Sequence, residues 1–330
     1  MEGLKIYNKA HASALVNFRD GEIKLGEQVR FLENLDQLNS SDAKFVLLGI
    51  PEDIGVRANQ GIAGTATAWQ PALKALLNIQ SNRFLDGAAL LLLGHFEFTE
   101  APNASWEQLQ QKVAEIDEAV FPVIQKIVMA GKVPIVIGGG HNNAYPIIKG
   151  CSLGLNRPID VINLDAHADL RPSNGRHSGN GFSYALEAGY LNRYSIFGLH
   201  ENYNNEEILQ RINQDQRIHS IFFDDLLKSE QPISHAWKEL LKLSGTDTGL
   251  ELDLDCITNV LSSASGPSGF SLNEVRQLII NATIKFNYLH ICEGAVALSD
   301  GRQDQSAAKT IAYLISDFIK SQSKLNIKSS

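Results

Sequence analysis

The stretch IDVINLDAHAD, residues 159–169, decides how the chain is read. It opens on an apolar run, Val161-Ile162-Asn163-Leu164, the length of one buried strand. It closes on Asp165-x-His167-x-Asp169, three side chains able to hold a metal. If the backbone stays extended there, all three lie on one face, because strand side chains repeat every second residue. Two carboxylates and an imidazole on one face are costly to bury unless a cation neutralises them. The plainer alternative is a polar loop after a strand, with its charges solvated.

The flanking segments weigh against that alternative. Upstream, Val133-Pro-Ile-Val-Ile137 reads as a strand and runs into Gly138-Gly-Gly-His141, which sets an imidazole at the mouth of the next helix. Downstream, Gly249-Leu-Glu-Leu-Asp-Leu-Asp255 is again a strand running into acids. Its leucines alternate with Glu251, Asp253 and Asp255, so the acids are expected to share a face. A strand over 285–292 ends in Glu293-Gly294. Further strands are expected over 43–50, 88–94, 194–199 and 218–223, and helices over 69–77, 182–189, 233–243 and 306–320. Ser105-x-x-Gln108 and Ser271-x-x-Glu274 have the form of capping boxes and open two more helices. Residues 57–64 read as a glycine-punctuated loop, and 1–42 as an extended segment with some helix.

Strands alternating with helices predict a three-layer α/β/α fold around a mostly parallel sheet. We expect one domain over residues 1–330, with 1–42 packed on it as an N-terminal extension.

Composition narrows the function. A net charge of -8 argues against nucleic acid as the partner. The longest apolar run, 88–93, is too short to span a membrane, and the N-terminus lacks the pattern of a signal peptide. Three cysteines without a CxxC fit a reduced, cytoplasmic setting. Cys256 and Cys292 each neighbour an acid and are expected to point the opposite way, into the core.

Four strands thus end in His141; in Asp165, His167 and Asp169; in Asp253 and Asp255; and in Glu293. In a parallel sheet those ends converge along one edge. Two imidazoles and five carboxylates there repel one another unless cations lie between them, and a pair of ions roughly 3.5–4 Å apart suits so many donors. Carboxylate oxygen with some imidazole nitrogen and no thiolate fits Mn²⁺, with Zn²⁺, Co²⁺ or Fe²⁺ as the alternatives. Arg57 and Asn59, in a loop after a strand, are candidate substrate contacts.

In this order, GGGH at 138–141, DAHAD at 165–169, SGN at 178–180 and DLD at 253–255 resemble the signature of the arginase/agmatinase/formimidoylglutamase family, the ureohydrolases. The resemblance implies two Mn²⁺ ions per chain. His141, Asp165, Asp169 and Asp253 would hold one, and Asp165, His167, Asp253 and Asp255 the other. It also implies hydrolysis of a C–N bond of an amidine or guanidine by a hydroxide bridging the ions. Glu293 would receive the substrate's nitrogens, and Ser178 and Asn180 would contact substrate. Family members with arginase or agmatinase activity carry a proton-shuttling His where this chain has Phe182. That departure, with Leu170-Arg171 and Asp255-Cys256, looks like the formimidoylglutamase branch. Arg171 would then pair with a substrate carboxylate. The expected substrate is N-formimidoyl-L-glutamate, an intermediate of histidine breakdown, and the expected products are glutamate and formamide. His177 and His200 become the candidates for moving the proton. The alternatives are an agmatinase or other ureohydrolase releasing urea, and a metal-binding scaffold without turnover. The family also implies a homo-oligomer, trimeric or hexameric.

Overall fold

Strand after strand along this chain is apolar on both sides, which requires a sheet covered on both faces. A computed structural model describes residues 3–99 and 103–327; the expected domain bounds run past these at both ends. Its strands are β1 (Leu4–Ile6), β2 (Phe45–Gly49), β3 (Leu90–Phe96), β4 (Val133–Ile137), β5 (Ile159–Leu164), β6 (Leu191–Leu199), β7 (Ile218–Phe222), β8 (Thr248–Asp253) and β9 (Phe286–Cys292). They form a single nine-stranded sheet in the order β1-β3-β2-β4-β9-β8-β5-β6-β7. Only β1 pairs antiparallel.

Alternate residues of each inner strand serve opposite layers. Phe45, Leu47, Ile135, Ile137, Ile162 and Leu164 pack against helices Trp69–Leu77, Leu272–Ile280 and Ser306–Ile327. Val46, Leu48, Val136 and Val161 pack against Trp106–Met129, Ala144–Leu155 and Gly181–Glu187. Each fully buried aliphatic side chain contributes about 1.5–3 kcal/mol. Both capping boxes form: Ser105 and Ser271 accept from the N–H groups of Gln108 and Glu274, whose side chains reach back. No described helix is long and apolar enough to cross a membrane.

The connection that makes a site follows β4. The chain leaves β4, skips two places to β5, and runs outward through β6 and β7. It returns as β8 and β9 to fill the gap. The strand ends β4, β9, β8 and β5 are therefore neighbours, at the point where the winding reverses, which is where open α/β sheets hold ligands.

Three local expectations change. The N-terminal segment supplies a strand, β1, which docks where Gly94 has no side chain; a Cβ there would collide with the Lys5 carbonyl oxygen. Ile54–Ala58 is helical and runs into the start of the expected glycine loop, with an Arg57 Nε to Asp53 Oδ1 bond of 2.9 Å across one turn. A further helix, Glu206–Gln214, is capped by Asn205, which accepts from the N–H of Ile208 at 2.9 Å.

The loop after β5 is pinned from behind by a buried cation. Arg176 is 5% exposed and donates to both oxygens of Asp117, at 2.7 and 3.1 Å. It also donates to Asn180 Oδ1 and to the Asn142 carbonyl, each at 2.8 Å. Its guanidinium lies over the rings of Tyr145 and Tyr184. Asp117→Ala strands that charge in the core, and the expected loss of stability is about 3–5 kcal/mol; a denaturant midpoint within error of the unsubstituted protein would contradict the arrangement.

Candidate metal centre and its cleft

The stretch 165–169 is not a strand face. β5 stops at Leu164, and the chain curls because Asp165 Oδ1 accepts the N–H of His167 at 2.7 Å. Asp165 Oδ2 accepts from Asn163 Nδ2 at 2.9 Å. Asp169 then takes a left-handed φ of 50°. The curl separates the three side chains, sending Asp165 and Asp169 to His141 and His167 towards Asp255. Asp255 likewise leaves the β8 face: it lies in a turn closed by its own N–H donating to Asp253 Oδ1 at 2.9 Å.

The glycines before His141 do specific work. Gly138 and Gly139 have φ of 89° and 79°, and a Cβ on Gly139 would collide with the Asn143 amide. Glu52, absent from the expected site residues, organises this turn. Its Oε1 accepts from Gly140 N at 2.9 Å and from Asn143 Nδ2 at 2.6 Å, and its Oε2 from Gly55 N at 3.1 Å. Glu52 follows Gly49-Ile-Pro in the sequence and carries no metal-ligand spacing, so only the folded turn exposes its role.

These turns bring the expected ligands together. His141 Nδ1 lies 3.2 Å from Asp165 Oδ2, 3.0 Å from Asp169 Oδ2 and 3.2 Å from Asp253 Oδ2. His167 Nδ1 lies 3.0 Å from Asp255 Oδ2 and 3.6 Å from Asp165 Oδ1. The donor atoms of His141, Asp165, Asp169 and Asp253 fall within 4.8 Å of one another, and so do those of Asp165, His167 and Asp255. Asp165 belongs to both groups; Asp253 joins the first, and its Oδ1 accepts the Asp255 N–H.

The electrostatics are those of a site built for cations. Burial pushes the Asp253 carboxyl well above its ordinary value, and the charges of Asp255 and Asp165 push it the same way. Burial, with Asp169 nearby, pushes Glu293 up to about 8, against the pull of the His141 N–H. His141 Nδ1 and Asp255 Oδ1 are buried without a hydrogen-bond partner. Orphaned lone pairs among facing carboxylates are what divalent ions satisfy, and the oxygen–imidazole set suits Mn²⁺ and its neighbours.

Cys292 departs from expectation. It is buried, but on the β9 face shared by Tyr288 and His290, and its sulfur falls within 4.8 Å of the donor atoms of His141 and Asp253. Strand alternation does not separate it from Glu293, because Glu293 lies past the strand with φ of 61° and turns back to accept the His141 N–H at 2.8 Å. Cys256 does join the apolar core. Burial raises both thiols well above their ordinary range.

A cleft of about 300 Å³ opens over the two groups, lined by His167, Asp169, Asp253, Asp255 and Glu293. Of the expected substrate contacts, Asn59, Arg171 and Ser178 line it, and Asn59 Nδ2 donates to Ser178 Oγ at 3.2 Å. Asn180 and Arg57 do not line it. Asn180 is fully buried, accepting from Arg176 and donating to the carbonyls of Pro172 and Gly175, so it builds the loop. Arg57 is turned to Asp53. His177 is a cap: its Nδ1 accepts the Gly179 N–H at 3.1 Å. His200 stacks between Tyr203 and Phe223. Sequence reasoning missed Tyr203, which lines the cleft and stacks on His167 with centroids 5.2 Å apart. Phe182 stands edge-on to His141 at 5.0 Å, closing off its ring.

Comparison with known proteins agrees with this geometry. A curated relative from Hahella chejuensis, a formimidoylglutamase, is 33% identical over 185 residues, 53% of this chain and 52% of its own length. The chain thus spans about half the length of that relative in the match. A formimidoylglutamase from Paraburkholderia xenovorans is 25% identical over 291 residues, 81% of this chain and 86% of its own. The crystal structure of Trypanosoma cruzi formiminoglutamase with Mn²⁺ shares the fold, with a TM-score of 0.71 at 21% identity, covering 91% of this chain and 98% of that one. With the arginase family model matching residues 43–316, across every strand end that carries a candidate ligand, the chain belongs to the arginase family.

Proposed function

We propose that this protein hydrolyses N-formimidoyl-L-glutamate to L-glutamate and formamide on a pair of Mn²⁺ ions. The observation that carries the substrate is Arg171. Its guanidinium is exposed at the rim of an acidic cleft, with no carboxylate in ion-pair distance among the described residues. A planar cation there matches a carboxylate and repels a cationic arginine or agmatine tail. The names of the Hahella and Paraburkholderia relatives support the substrate, and the Mn²⁺ in the Trypanosoma structure supports the metal. Three free, buried cysteines are in keeping with a cytoplasmic enzyme.

His141, Asp165, Asp169 and Asp253 would hold one ion, and Asp165, His167 and Asp255 the other, with Asp253 shared as the family motif implies. Bound there, divalent ions supply Lewis acidity, which makes water nucleophilic at neutral pH and stabilises charge developing at the amidine carbon. Glu293 faces the same cleft with one oxygen fixed by the His141 N–H, which leaves the other for the amidine N–H groups. Asn59 and Ser178 flank Arg171 and orient the substrate's glutamate end.

A substrate panel with Mn²⁺ present tests this reading. We expect formamide from N-formimidoyl-L-glutamate; urea from agmatine or a guanidino acid, with no formamide, would replace the proposal by a ureohydrolase. Arg171→Ala is expected to raise KM about tenfold with kcat little changed, as for a charge-assisted contact worth about 1.5 kcal/mol made equally in ground and transition states. An unaltered KM would remove Arg171 from substrate recognition.

His177 stays outside the chemistry. With Nδ1 accepting from Gly179, a neutral ring carries its proton on Nε2 and cannot accept there. Burial, then the charges of Arg171 and Arg176, push its pKa down to about 4. That lies below the value of an unfolded histidine, so the unfolded chain binds more protons between about pH 6.5 and about 4. His177 therefore costs stability as pH falls through that window. An NMR titration of its ring should show a midpoint far below 6; a midpoint near 6.5 would return it to the list of proton carriers.

A further inference from the structure

Behind His141, on the side away from the cleft, lies a buried polar cluster outside the two donor groups of the proposed pair of ions. Glu251 is fully buried on β8. Its Oε1 accepts from the Tyr288 hydroxyl at 2.7 Å, and its Oε2 lies 2.6 Å from His290 Nδ1. His290 Nε2 in turn lies 3.3 Å from the carbonyl of Gly138, the first residue of the turn that delivers His141. Glu251 and Asp253 share the β8 face, and Tyr288 and His290 sit beside them on β9, where Glu251 pairs with His290 in register. A carboxylate this deep is retained at considerable cost unless it has a fixed partner.

His141 supplies the missing partner. Its Nδ1 points at the carboxylates of Asp165, Asp169 and Asp253, and its Nε2 points the other way. That Nε2 is buried without a hydrogen bond, and Glu251 Oε2 is 3.6 Å from it. A buried ring N–H left unpaired costs about 1–3 kcal/mol, so the ring and the carboxylate are drawn together.

We propose that Glu251, clamped by Tyr288 and His290, is the positioning residue for His141: it accepts the hydrogen bond of the Nε2–H and so fixes the tautomer that turns the Nδ1 lone pair towards the metal. A ligand imidazole held by a carboxylate on its far nitrogen is a stronger and better oriented donor. Glu251 thereby sets the affinity of the ion held by His141, Asp165, Asp169 and Asp253, and leaves the ion at His167 and Asp255 largely untouched. The proposal rests on the two-ion reading above.

The test is Mn²⁺ binding, measured on the full chain after chelation by equilibrium dialysis with electron paramagnetic resonance. Glu251→Gln should weaken one of the two ions by roughly 10- to 100-fold, while Glu251→Asp, which keeps the charge, recovers part of the loss. A merely structural role would lower the melting temperature of both variants alike and leave their affinities together. Two ions bound with wild-type affinity by Glu251→Gln would overturn the assignment alone. A wild-type protein that binds no Mn²⁺ would overturn the two-ion reading and this assignment with it. Should Glu251→Gln fail to fold by circular dichroism, Tyr288→Phe decides, because it keeps the carboxylate and removes one side of its clamp: a several-fold weakening supports the proposal and an unchanged affinity refutes it.

Discussion

Like charges cannot be gathered in a dry place without something of opposite sign between them, and this molecule gathers them deliberately. Asp165, Asp253, Asp255 and Glu293 are each less than a tenth exposed, and they converge at one edge of a single sheet. Burial and mutual repulsion raise Asp253 and Glu293 well above ordinary carboxyl values. Among the described residues, the nitrogens of the donor groups come from two imidazoles, each already facing carboxylate oxygens. Divalent cations are what such an arrangement would accommodate.

The sheet's winding is what permits the convergence. A strictly sequential order would separate the ends of β4 and β5 from those of β8 and β9. The skip after β4, and the late return of the chain into the gap, place the ends side by side in the order 4, 9, 8, 5. Registers complete the alignment: Ile137 pairs with Ile291, Cys292 with Asp253, and Leu252 with Leu164. These strands thus stop at nearly the same height, and the candidate ligands lie at or within a few residues of their ends.

Support for the ligands comes from buried polar groups without catalytic spacing. Glu52 holds the glycine turn before His141, Glu251 stands behind its ring, and the Arg176–Asp117 pair fixes the loop after β5. Phe182 covers the His141 edge, so the region beside the candidate metal centre is apolar on that side. At the cleft, Asn59, Ser178 and Arg171 stand together among the lining residues.

The sequence by itself determined the layered α/β architecture, because hydrophobic period and capping residues are local signals. The helix over 69–77, the strand over 133–137 and both capping boxes fall where they were expected. It also determined which residues gather as candidate metal donors, since an acid or imidazole soon after an apolar strand is visible in one dimension. Tertiary structure alone decided how those donors divide. The curl at 165–169 and the turn at Leu254–Cys256 break the alternation that would have put neighbouring acids on one face. Left-handed backbone at Asp169 and Glu293 turned Asp169 to His141 and left Cys292 on the ligand side. It also withdrew Asn180, Arg57 and His177 from the cleft and brought in Tyr203. The physical reason is the same in each case: a side chain's direction beyond a strand end depends on hydrogen bonds closed across the turn and on distant packing partners, and neither leaves a period in the sequence.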